Sequence, residues 1–141
     1  SQRDSDPATN GTVLSGDQGI SGFLGDNAYH VVIIPQDAGA VLDGFTIRDG
    51  VASGSNTDGR GGGIWARGSS NLTLQNARIL DNDASAGFGG GIASRQGRLV
   101  VKDVVLAGNS ASGSGGGIYG DGVFTNVTAQ DNSAGGSGGG I

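Results

Sequence analysis

The chain has 141 residues, a formal net charge of −5 and no cysteine, which excludes both a disulfide framework and a thiolate metal site. Glycine supplies 31 residues, glutamate and methionine are absent and Lys102 is the single lysine, so the residues that favour exposed helix are nearly missing. The acidic balance argues against nucleic acid as a partner, which would call for a basic stripe, and the length suits one domain.

Residues 1–10 are polar, include Pro7 and show no period, and are expected to form a flexible tail ahead of a domain at 11–141. Thr12, Val13 and Leu14 begin a first strand, and 15–27 follows as a long loop of the kind that sometimes carries function. Asp17 and Asp26 near its two ends are weak candidates for Ca²⁺, but the acid-every-second-residue spacing of a calcium loop is missing. His30, the only histidine, sits in Tyr-His-Val-Val-Ile-Ile at 29–34, which reads as a strand with no partner for catalysis or metal beside it. The stretch 53–60 is the longest corner loop, and its Asp58 and Arg60 are expected to pair with each other or with water.

From there the chain repeats. Gly-Gly-Gly-Ile stands at 61–64, 89–92, 115–118 and 138–141, with the isoleucines 28, 26 and 23 residues apart, which is the step of one solenoid coil. Between these motifs lie segments that align without gaps: Leu-Gln-Asn-Ala-Arg-Ile-Leu-Asp-Asn at 74–82, Val-Lys-Asp-Val-Val-Leu-Ala-Gly-Asn at 101–109 and Phe-Thr-Asn-Val-Thr-Ala-Gln-Asp-Asn at 124–132. An earlier coil, Leu-Asp-Gly-Phe-Thr-Ile-Arg-Asp-Gly at 42–50, fits the same frame, with Val32 in the place of Ile64. The variation in coil length falls outside the aligned segments, as expected of stacked strands in fixed register joined by adjustable loops. The fold expected is therefore all-β, a right-handed parallel β-helix of about five coils, incomplete at its C-terminal end.

Alignment places Ala77, Val104 and Val127 in one apolar column and Ile79, Leu106 and Ala129 in another. Asn76, Asp103 and Asn126 share one turn position, and Asn82, Asn109 and Asn132 share the next. Such residues tolerate left-handed backbone and can bond to their neighbours in a stack, so two polar ladders are expected. Asp81 and Asp83 raise the calcium question again, but Gly108 interrupts the column that joins Asp81 to Asp131. Asn10, Asn71 and Asn126 head glycosylation sequons, with Asn10 and Asn71 expected to be accessible and Asn126 shielded in its ladder.

If the isoleucines of the repeats point inward, alternation puts Trp65, Ala93 and Tyr119 outward, with Arg67, Arg95 and Asp121 two residues further on. Aromatic faces stack on sugar rings and arginines reach hydroxyls or carboxylates, so Trp65, Tyr119, Arg67 and Arg95 are candidate glycan contacts. Catalysis would need paired carboxylates or a calcium cluster on one face, whereas the repeated positions hold Asn, Gly and apolar residues. Ranks of threonine suited to ice are missing as well.

The pairing of Gly-Gly-Gly-Ile with Ile-Leu-Asp-Asn at 79–82 and Leu-Ala-Gly-Asn at 106–109 resembles the paired repeats of chlamydial polymorphic membrane proteins, over roughly residues 31–141. That family prefers Phe where this chain has Ile, Leu or Ala, so the resemblance extends to the wider class of pectin-lyase-like surface β-helices. It implies a secreted or surface-displayed passenger with adhesive or structural roles, and no catalytic residue. The functional expectation is a non-enzymatic extracellular scaffold, either an adhesin-like passenger or a subunit of an assembly. The alternative is a glycan-binding or polysaccharide-degrading β-helix. Glycans, a host or neighbouring cell surface, or a second copy stacked head to tail are the partners expected; no cofactor and no membrane span are.

Overall fold

A computed structural model of the chain describes residues 11–141; the expected tail at 1–10, with Asn10, lies outside the described residues. In chain order the strands are β1 (Thr12–Ser15), β2 (Val32–Ile34), β3 (Gly39–Asp43), β4 (Phe45–Arg48), β5 (Ile64–Ala66), β6 (Asn71–Leu80), β7 (Asp83–Ala84), β8 (Ile92–Ser94), β9 (Leu99–Ala107), β10 (Ser110–Ala111), β11 (Ile118–Tyr119), β12 (Gly122–Gln130) and β13 (Ser133–Ala134). All pair in parallel, and each pairs with the strand one coil away. The long sheet stacks five levels, β1, then β3 with β4, then β6, β9 and β12; β2, β5, β8 and β11 form a second sheet, and β7, β10 and β13 a third. The result is a parallel β-helix, with β1 paired against β4 at one edge of the long sheet.

The register is the one the repeats prescribe. Ala77 pairs with Val104 and Val104 with Val127, Ile79 with Leu106 and Leu106 with Ala129, and Val32 with Ile64. These columns, with Leu72, Leu74, Leu99 and Val101, fill the interior, where most side chains are wholly buried. A separate small core of Ala52, Ala84 and Ala111 lines the third sheet.

Two local features differ from the sequence expectation. The turn expected at Asn76, Asp103 and Asn126 is a single left-handed residue inside a continuous strand, with φ between 48° and 54°. His30 precedes β2 rather than lying in it, and its Nδ1 donates to the Gly61 carbonyl at 3.0 Å.

The corner after β6, β9 and β12 holds the chain together. Asn109 is wholly buried; its Nδ2 donates to the Ile79 carbonyl at 2.8 Å and to Asn132 Oδ1 at 3.0 Å. Its Oδ1 accepts from the Asn82 backbone N–H at 3.1 Å and from Asn82 Nδ2 at 3.0 Å. Asn82 repeats this one coil earlier, donating to the Ile47 carbonyl and accepting from the Gly50 N–H, and Asn132 repeats it one coil later with the Leu106 carbonyl and the Asn109 N–H. The two donors and two lone pairs of the Asn109 amide are thus all used.

The other polar column does not form a continuous inner ladder. Asn76 donates to Asp43 at 2.8 Å and Asn126 to Asp103 at 2.6 Å, as two separate pairs, the first half-buried and the second exposed. Asn126 is exposed, which corrects the expectation that its sequon is shielded; it lies on β12, the edge strand of the long sheet, which is exposed along most of its length, whereas Asn76 and Asp103, in the same left-handed conformation on inner strands, are half-buried. The same conformation explains Gly108 between Asp81 and Asp131: the three have φ of 66°, 52° and 53°, so the position selects for tolerance of positive φ rather than for charge.

The Gly-Gly-Gly corner has a different cause. Its first residue has positive φ in every copy, 64° at Gly61 and 67° at Gly89, and the next two lie against the backbone of the following coil. A Cβ on Gly90 would sit 2.1 Å from the Ser110 carbonyl oxygen, and one on Gly91 2.5 Å from that of Gly117. This proximity lets the corner bond rung to rung, as in Gly91 N–H to the Gly116 carbonyl at 3.1 Å and Ile92 N–H to that of Gly117 at 2.9 Å.

Two substitutions separate these devices from general packing. Asn109→Leu leaves the Asn82 N–H and the Ile79 carbonyl buried without partners and is expected to lower unfolding free energy by roughly 2–5 kcal/mol, measured by denaturant melts. Gly91→Ala should cost about 3 kcal/mol through overpacking, whereas Gly39→Ala, whose Cβ meets nothing within 4 Å, should be neutral or stabilising by up to ~1 kcal/mol.

Candidate functional site

The outward column of the second sheet forms as the alternation requires, Trp65 pairing with Ala93 and Ala93 with Tyr119. Its aromatic faces are nevertheless engaged within the protein. Trp65 is only 4% exposed: the guanidinium of Arg60 lies 5.8 Å from its ring centroid and 5.6 Å from that of Phe88. Phe88 in turn stacks on Tyr119, with centroids 4.9 Å apart and planes at 29°, leaving Tyr119 37% exposed. Trp65 therefore offers no open face to a sugar ring.

The cause is a column that repeats in the sequence. Arg60, Phe88, Ser114 and Ser137 each precede a Gly-Gly-Gly, and the chain there is bonded rung to rung, from the Gly61 N–H to the Phe88 carbonyl and from the Gly89 N–H to that of Ser114. Arg60 and Phe88 thus occupy successive rungs of one column, beside the Trp65 column. The loop ahead of Arg60 closes in a short 3-10 turn, Asn56–Gly59. Arg60 is not paired with Asp58: among the described residues the ion pairs are Arg48–Asp49 at 3.2 Å and Lys102–Asp103 at 3.9 Å. A guanidinium between two rings gains cation–π attraction on both sides.

Beyond this stack the surface opens into two adjoining clefts. The larger, of about 240 Å³, is lined by Gln36, Thr57, Arg60, Trp65, Arg67, Gly68, Arg95 and Gln96. The smaller, of about 190 Å³, is lined by Ser94, Arg95, Tyr119, Gly120 and Asp121. Arg95 belongs to both. All four candidate glycan contacts, Trp65, Arg67, Arg95 and Tyr119, line one cleft or the other, although Trp65 is only 4% exposed. Gln36, Thr57 and Gln96 come from non-repeating loops and carry no periodic signal.

The acidic candidates lie elsewhere. In the loop after β1, Asp17 Oδ2 accepts the Gly22 N–H at 3.1 Å and Asp26 Oδ2 the Ile20 N–H at 2.9 Å, so both brace the loop from inside. Their second carboxylate oxygens, with Asn27 Oδ1, are buried without a protein partner. Asp83 accepts from the Ser110 hydroxyl at 2.6 Å, and Asp81 is exposed. Among the described residues no three His, Cys, Asp or Glu side chains gather as a metal site, and no helix is long and apolar enough to cross a membrane. Asn71 is exposed and its Oδ1 accepts the Arg98 N–H at 3.1 Å.

Arg60→Ala removes the cover over the only tryptophan. The expected result is a red-shifted Trp65 emission with stronger acrylamide quenching and a loss of about 1–2 kcal/mol of stability, while Arg78→Ala, on a strand of the long sheet, leaves the emission unchanged.

No curated protein and no solved structure matches the chain. A family described as right-handed β-helix region matches residues 10–141, which spans every coil and both clefts. With the parallel register and the buried asparagine corner already described, the match is unambiguous: the chain belongs to the right-handed β-helix family.

Proposed function

We propose that the chain is a non-enzymatic β-helix scaffold, secreted or displayed at a cell surface, that binds glycans along the outer face of its second sheet. The observation that carries the reading is the pair of clefts joined at Arg95, which extends over successive coils and offers arginine, amide and hydroxyl groups together. Open, polar clefts of this kind suit a chain of hydroxyl-rich units, which approaches from the side and presents hydrogen-bonding groups at regular intervals. The lining favours binding over hydrolysis, for the larger cleft is walled by arginines and amides, and the smaller contributes the single carboxylate of Asp121, where glycoside hydrolysis uses two.

The location at a surface, and a place in an adhesin-like passenger or a larger assembly, rest on the resemblance of the Gly-Gly-Gly-Ile and Asn-ended repeats to polymorphic membrane protein repeats and to pectin-lyase-like surface proteins. A rod of stacked rungs suits such a role, since it holds a binding face at a fixed distance and orientation.

An array of neutral and acidic polysaccharides, probed with the whole chain, tests the reading. At least one polysaccharide class should be retained, with affinity reduced about tenfold or more by Arg95→Ala, the residue shared by both clefts. No new reducing ends should appear during incubation. Retention of no polysaccharide would overturn glycan binding, and release of reducing ends would overturn the non-enzymatic assignment.

A further inference from the structure

Ahead of its left-handed bend the long sheet presents an outer face of its own, separate from the clefts. Leu72, Leu74, Leu99 and Val101 are wholly buried, so the residues that alternate with them point outward. Strand register stacks these outward residues into columns. One holds Val41, Thr73, Val100 and Val123, and its valines are 69%, 36% and 44% exposed, an apolar β-branched stripe along the rod. Beside it runs the column of Asp43, Gln75, Lys102 and Thr125. The Gln75 and Asn76 amides hold the Asp43 carboxylate in place, at 3.0 and 2.8 Å, and Lys102 is exposed.

Opposite charges two rungs apart, with a neutral rung between them and an apolar stripe alongside, make this face complementary to itself. We infer that two copies of the chain pair side by side through it, with their rods antiparallel, about a two-fold axis running along the strands at the Thr73 rung. Rotation about that axis exchanges the rungs on its two sides. Asp43 then meets the partner's Lys102 and Lys102 the partner's Asp43, while Val41 and Val100 cover each other. Thr73 and Gln75 face their own copies. Other arrangements lack this match. Shifting the axis by half a rung sets Lys102 against the partner's Gln75, a neutral amide. Turning the axis along the rod sets exposed Arg98, on the far side of the valine column, against the partner's Lys102, a like-charge contact. Two twisted sheets pack face to face with their strands nearly aligned and ~10 Å apart, which the valine and threonine side chains can fill. The stripe is small, so the pair is a weak one, and the two charge pairs fix its register more than they add affinity. None of these residues lines either cleft, so the inference stands apart from the glycan reading.

Sedimentation equilibrium of the whole chain from about 10 µM to about 1 mM tests the pairing, with a dimer expected whose dissociation constant is on the order of 100 µM. Lys102→Asp and Asp43→Lys should each weaken it about tenfold or more, since each sets like charges opposite one another at both ends of the contact. An equimolar mixture of the two variants should recover the dimer, because opposite charges meet again at both positions. The chain has no cysteine, so Thr73→Cys adds a single thiol on the axis. A bismaleimide spanning ~10 Å should join two copies there, and should not join them through Thr128→Cys, an exposed position beyond the bend. Cross-linking requires no change at Asp43, so it decides the matter if melting curves show that Asp43→Lys does not fold. A monomer throughout the concentration range would overturn the pairing. A dimer indifferent to the charge reversals, or one joined through Thr128→Cys rather than Thr73→Cys, would overturn this face and its register.

Discussion

Everything in this molecule depends on the amide of a buried asparagine having four partners at once. Asn109 reaches the coil on each side of it, Asn82 does the same and Asn132 bonds back to the coil before it, so the corner is a continuous chain of hydrogen bonds inside an otherwise apolar interior. Removing a buried polar group from water is costly unless every donor and acceptor is matched, and matching here requires that successive coils sit in one register. The invariant spacing of the aligned segments follows, because a residue inserted between the apolar columns and the asparagine would break bonds in two coils. The glycine corner imposes the complementary demand of close approach, with carbonyls of the next coil filling the space a side chain would need.

Because the solenoid is built from repetition, the parts that repeat were legible in the sequence. The apolar columns, the parallel register, the buried asparagines and the outward placement of Trp65, Arg67, Arg95 and Tyr119 all follow from aligning four motifs and applying period-two alternation. The parts that do not repeat were legible only in fragments. That Trp65 faces outward could be deduced, but not that Arg60 covers it, although Arg60 and Phe88 both precede a Gly-Gly-Gly and so share a column. Gln36, Thr57 and Gln96 reach the cleft from loops with no counterpart in other coils. The exposed position of Asn126 was misjudged because alignment treats every copy of a turn position alike, whereas β12 is the edge strand of the long sheet and is exposed along most of its length, unlike the strands that carry Asn76 and Asp103.

The division between conserved geometry within the coil and variable loops outside it also explains where a binding face can arise. The larger cleft draws on the loop that ends at Arg60 and on the turns after β2, β5 and β8, while the ladder lies at the corner after the long sheet. Loop residues can change there without touching the amide chain, and the cation–π stack supplies the rigidity a loop would otherwise lack.

The direction of the rung-to-rung hydrogen bonds has a mechanical meaning. They point along the axis of the rod, so tension applied between its two ends loads the rungs in series rather than in parallel. Such a rod yields by peeling one coil at a time. With isoleucines 23 to 28 residues apart, each coil released would lengthen the chain by roughly 75–100 Å. A structure stiff under thermal motion thereby becomes, under load, an extensible tether whose remaining coils keep their fold while the outermost gives way.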